Sequence, residues 1–214
     1  PFNRIRYLSI FITVFIVSTI QSGSPEPGNL TMMLEVMGRV VGEAIDLPYS
    51  PVRLVVLTAS NGLTEIQTQA VRTAAGISYL VSLVMLTIFV IIIRAGHWPA
   101  RGPSFNVWLT LPPFDPTAGG DVVHRLDRDA RINIALGFLL PFLMPAVVEA
   151  AASGMAPISL SNPQVMIWTM AAWSFLPASL FMRGIAMGRV ADLIREQRKL
   201  TAELAETGED LAQA

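Results

Sequence analysis

The residues of this chain best placed to do chemistry fall in one apolar segment. Gly137, Pro141, Pro145, Glu149 and Ser153 are each four apart within INIALGFLLPFLMPAVVEAAASG. On a helix that spacing makes one slowly drifting stripe. Each proline lacks an N–H, so the carbonyl four residues earlier, that of Gly137 or Pro141, loses its helical donor. Two such carbonyls and a carboxylate on one face would suit a cation, proton or water path, and ionisable groups inside a span are functional candidates. The same stripe equally describes a kinked helix packing closely at its glycine, with Glu149 near enough to the headgroups to reach water. Pore and packing seam are both open on spacing alone.

Other reactive groups are few. His124 stands near Asp121, Asp127 and Asp129, but arginines alternate with them and the set points to different sides of a helix. A solvated elbow is expected there, with Asp121–Arg125 and Asp127–Arg131 at helical i,i+4 spacing. Cysteine is absent, which removes disulfides, thiolate metal sites and cysteine nucleophiles. The only histidines, His97 and His124, lie outside the apolar runs, so an intramembrane haem has no facing ligands. There is no G-x-S-x-G, H-E-x-x-H, P-loop or dinucleotide fingerprint. Trp168, Trp173 and Pro177 could line a pigment or lipid pocket, although aromatic packing and a proline kink account for them without one. No catalytic residue, metal or cofactor is expected, and the chain does not read as an enzyme.

These residues must be positioned by membrane helices. Of 214 residues, 52% are hydrophobic and 14% charged, and the mean hydropathy is +0.53. A soluble domain keeps about a quarter of its residues charged. The net charge of −1 gives no basic field for nucleic acid. Four runs approach the roughly 20 apolar residues a helix needs to cross the hydrocarbon core. They fall within residues 1–21, a short signal-anchor helix, and at 77–94, 132–152 and 165–183. The expected fold is all-α, a four-transmembrane-helix bundle with an external amphipathic helix and a long cytoplasmic C-terminal helix.

Loop charge sets the orientation, because basic residues concentrate on the cytoplasmic side. With both ends inside, twelve basic residues are cytoplasmic, and only Arg39, Arg53 and Arg72 are external. The external segment 22–76 opens with the turn-forming SGSPEPGN, and Asn29 is then a natural N-cap. Leu30, Met33, Leu34, Met37, Val40, Val41, Ala44 and Ile45 recur at helical spacing, opposite Glu35, Arg39, Glu43 and Asp46. The following LPYSPVRLVVLTASNG reads as a short strand or an extended packing segment. From Thr64 a helix resumes and runs outward-to-inward through the second span. The loop 95–131 is rich in proline and glycine up to residue 120 and lies along the inner headgroups, while 153–164 is a short external loop. Small polar pairs, Ser9/Thr13 and Ser78/Ser82, mark helix-contact faces.

The fourth span runs on into the tail 184–214. There Val190, Leu193, Gln197, Leu200, Leu204, Thr207 and Leu211 alternate in steps of three and four, a coiled-coil spacing. This seam is expected to serve helix–helix association, including self-association. Expected partners are therefore membrane lipids and other membrane subunits. Fourteen arginines against one lysine suggest a GC-rich bacterial genome and hence a bacterial inner membrane. The functional expectation is a non-catalytic accessory or assembly subunit of a larger membrane complex. The alternative is a homo-oligomeric channel or small transporter with a pore along the third span. The absence of a repeat between the two halves leans away from the transporter.

Overall fold

A computed structural model of the chain describes residues 2–22, 28–60, 63–95, 121–152 and 160–213. Among these every regular element is an α-helix, and local chemistry explains most of the boundaries. α1 (Phe2–Ile20) is the first span. α2 (Asn29–Ile45) follows, but its N-cap is Gly28 and not the expected Asn29, and no side chain caps it. Gly28 adopts an extended backbone, so the first turn begins one residue earlier than the side-chain rule suggests.

The largest correction concerns the stretch expected to be extended. It forms α3 (Pro51–Ser60). Ser50 is its N-cap: the Oγ accepts from the Arg53 N–H at 3.0 Å. Pro51 then occupies the first helical position, where its missing N–H is harmless and its φ is preset. β-Branched valines favour strands in isolation, yet Val52, Val55 and Val56 share one helical face and are all buried. Burial of that face outweighs the strand preference. The turn before it closes through the Ser50 N–H and Leu47 carbonyl at 3.0 Å, with Tyr49 at φ 68.

α4 (Glu65–Arg94) starts with a capping box, Thr64 and Gln67 exchanging side-chain and backbone hydrogen bonds. Its 30 residues reach about 45 Å at 1.5 Å per residue. That exceeds a hydrocarbon core of roughly 30 Å, so the helix is longer than a span requires. α5 (Val122–Ala152) absorbs the expected elbow into one continuous helix. Nothing between Asp121 and Gly137 breaks it, and Asp121 supplies its first carbonyl to the Arg125 N–H at 3.2 Å. α6 (Pro163–Gln213) is a single helix of 51 residues joining the fourth span to the tail. Asn162 caps it, Oδ1 accepting from the Gln164 N–H at 2.9 Å, and Pro163 again occupies the first position.

α1, α4, α5 and α6 are each long and apolar enough to cross a membrane. They pack around two clusters of buried residues at opposite ends. One holds Phe89 and Ile93 from α4, Leu126 and Ala130 from α5, and Met182, Met187 and Val190 from α6, with Ile5 of α1 against it. The other holds Val17 of α1, Val71 and Ala75 of α4, Met170 and Trp173 of α6, and the α3 valines. The start of α1, the end of α4 and the start of α5 therefore meet at one end. Large apolar side chains face outward along the spans, among them Phe11, Ile91, Phe138, Val147 and Trp168. Small polar residues join the large apolar ones inside, with Ser9, Thr13, Ser78 and Ser82 all buried. Outward apolar side chains and inward small polar ones suit a lipid solvent, in which helices associate through small residues and close packing.

Candidate functional site

Four residues of the third-span stripe, Gly137 to Glu149, fall among the described residues. Gly137, Pro141 and Pro145 are buried, Glu149 is exposed, and Ser153 lies outside the described residues. The buried part faces α6. A Cβ on Gly137 would sit 3.0 Å from both the Pro177 carbonyl and the Phe181 ring, so the glycine sets the closeness of the two helices. The Pro141 carbonyl, deprived of its helical donor by Pro145, accepts from the indole Nε1–H of Trp173 at 3.1 Å. Trp173 is 3% exposed and its ring lies 5.8 Å from that of Tyr79. Trp168 is 53% exposed, so the two tryptophans do not line a common pocket.

The tail seam divides. Val190 is buried against the bundle, Leu193 is half-buried, and Gln197 and Leu200 are exposed. The side chains of Leu204, Thr207 and Leu211 lie outside the described residues. The inner part of the tail is held by the start of α5. Asp127 pairs with Arg195, not with Arg131 as its spacing suggested, and Asp121 bonds Arg198 at 2.9 Å. Arg195 also binds Asp192 at 2.8 Å. Two of the acids around His124, Asp121 and Asp127, are thus struts between α5 and α6, while Asp129 pairs with its neighbour Arg128 at 3.5 Å, and no metal-holding cluster of acids and histidines exists among the described residues.

At the opposite end, α2 lies across α4 on glycines. Gly42 and Gly76 approach so closely that a Cβ on Gly76 would sit 2.4 Å from the Gly42 Cα. Gly38 meets Thr73 in the same way, at 2.8 Å. The sequence carried a signal for this contact in Gly38-x-x-x-Gly42, a small-residue spacing that lets backbones touch. A partly buried ionic clamp secures the corner. One carboxylate oxygen of Asp46 accepts from Arg72 of α4 at 2.8 Å and from Arg53 of α3 at 3.2 Å. Burial on α2 is confined to the glycines, and its large apolar residues face outward: Met32, Met33, Val36, Met37 and Val40 are between 46% and 58% exposed. The amphipathic pattern of this helix therefore does not describe its packing within the chain.

Fold and site together define a helical membrane protein of the multi-pass class. Compared with protein families, curated proteins and solved structures, the chain matches none.

Proposed function

We propose that the chain is a non-catalytic structural, accessory or assembly subunit of a larger complex in a bacterial inner membrane, with both ends cytoplasmic. The observation that carries this reading is α2. It is anchored by Gly38, Gly42 and Asp46, yet it presents a row of methionines and valines away from the bundle. A helix of 17 residues held at the mouth of the bundle has no spanning role of its own. Its contiguous apolar face suits a partner helix, and unbranched methionines adapt to irregular partner surfaces. The twelve-to-three bias of basic residues supports the orientation.

The channel reading draws less support. Gly137, Pro141 and Pro145 are buried, and one of the carbonyls that a pore would use is bonded to Trp173. Native mass spectrometry of the chain gently extracted from its own membrane tests the proposal. Other proteins should co-purify in fixed ratio, and Val36→Glu should release them while the chain keeps its helicity. A partner-free homo-oligomer with transport activity would sink the subunit reading.

A further inference from the structure

A cavity of about 760 Å³ opens where the end of α4 meets α5 and the middle of α6. Its lining is split by chemistry. Val90 and Ile93 of α4, Ile134 of α5 and Ile185 of α6 form an apolar wall. Beside them stand three guanidiniums, one from each helix: Arg94, Arg131 and Arg189. Two carboxylates, Asp127 and Asp192, also reach the cavity, but both are bound to Arg195, a cation outside the lining. None of the three lining arginines has an ion pair among the described residues, and the Arg189 Nε is buried with no hydrogen-bond partner. Arg94 also faces the negative end of the α4 dipole, which takes up part of its charge. The surplus for a ligand therefore rests chiefly on Arg131 and Arg189.

Glycines make the space. A Cβ on Gly184 would stand 2.7 Å from the Ala130 carbonyl, so α5 and α6 touch there. One turn further along α6, a Cβ on Gly188 would meet only the Ala130 Cβ, at 4.0 Å. The helices part at that level and leave the cavity open. It is also the level at which the uncharged run LVSLVMLTIFVIII stops at Arg94, as a span does where hydrocarbon gives way to headgroups.

We infer that this cavity is a binding site for the phosphate group of an anionic phospholipid. Arginine is the side chain best matched to phosphate, because its planar fork donates two parallel hydrogen bonds. Basic pockets between spans on the inner side suit lipid headgroups. The isoleucine and valine wall gives the adjoining acyl chain an apolar surface, which a free phosphate ion would not need. A zwitterionic lipid brings its own ammonium and gains less from a cationic surplus.

The test uses the full chain in detergent, titrated with dioleoyl phosphatidylglycerol and, separately, dioleoyl phosphatidylcholine, and read by native mass spectrometry. Phosphatidylglycerol should be retained at least about tenfold more tightly than phosphatidylcholine, and Arg131→Gln with Arg189→Gln should abolish that preference. Arg39→Gln removes a guanidinium from α2, which lines no part of the cavity, and should leave the preference intact. Arg189→Lys keeps the charge without the fork, and should retain a reduced preference in a chain whose fold is undisturbed. Equal binding of the two lipids, or an unchanged preference in the double glutamine variant, overturns the site. Displacement of phosphatidylglycerol by equimolar inorganic phosphate overturns the lipid as its source and assigns the cavity to a soluble phosphate.

Discussion

Trp173 of α6 donates its indole N–H to the main-chain carbonyl of Pro141 on α5, 3.1 Å away and fully inside the bundle. Pro145 created the need for that donor by removing the N–H four residues on. Without it, a bare carbonyl would face hydrocarbon or packed side chains, where an unsatisfied polar group is costly. A proline inside one helix and a tryptophan on the other are thus one device.

That device predicts the outcome of two substitutions. Trp173→Phe leaves the Pro141 carbonyl unpartnered and should destabilise the bundle by about 1–3 kcal/mol. Pro145→Ala restores a backbone N–H within reach of the same carbonyl. In the double variant the loss caused by Trp173→Phe should therefore shrink. A double-mutant cycle on reversible unfolding in detergent measures the coupling, and additive losses would show that the bond contributes nothing.

The α2–α4 crossing should tolerate no side chain at Gly76. Gly76→Ala drives a methyl into the Gly42 backbone, which has no rotamer with which to yield. A loss of about 1–3 kcal/mol or more is expected. Gly188→Ala provides the contrast, since its Cβ has room, and alanine is the better helix former by up to about 1 kcal/mol. Thermal unfolding of the two variants side by side should move in opposite directions.

The strut between Asp121 and Arg198 should open in acid. The hydrogen bond from Arg198 holds the Asp121 carboxyl below its ordinary value of 3.8, with help from the Val123 N–H. A carboxylate with a depressed folded-state value contributes above its unfolded value, and the contribution is lost as pH falls through the folded one. The contact is therefore present at neutral pH and disappears below pH 3.8. Hydrogen exchange in the tail around Arg198, taken relative to the intrinsic amide rate at each pH, should rise over that range in the wild type. In Asp121→Asn it should already be fast at neutral pH and change less on acidification.

Topology is directly measurable, because the chain has no cysteine to remove. Ile66→Cys places a thiol on a residue that is 83% exposed at the start of α4. Thr201→Cys places one on the exposed tail. A membrane-impermeant maleimide applied to intact cells should label the first and reach the second only after permeabilisation. The reverse pattern would overturn the positive-inside assignment.

Much of the architecture was readable one segment at a time. The four spans follow from uninterrupted apolar length, and the start of α4 from Thr64 and Gln67 three residues apart. The start of α3 was equally legible in Ser50-Pro51, yet the run of valines after it favoured a strand when weighed without its buried face. Gly38-x-x-x-Gly42 was also present to be read, and it explains why α2 turns its large residues away from the bundle.

By itself the sequence determined which segments are long and apolar enough to cross a membrane and which loops carry the basic residues. Those properties depend on neighbours within a few positions along the chain. Tertiary structure alone decided which partner each polar group takes. The Pro141 carbonyl meets an indole 32 residues away, and Asp121 meets a guanidinium 77 residues away. Asp127 passes over Arg131 for Arg195. Helical spacing makes a local pair available, but the packing of α5 against α6 fixes the distances, and the nearer guanidinium in space forms the pair.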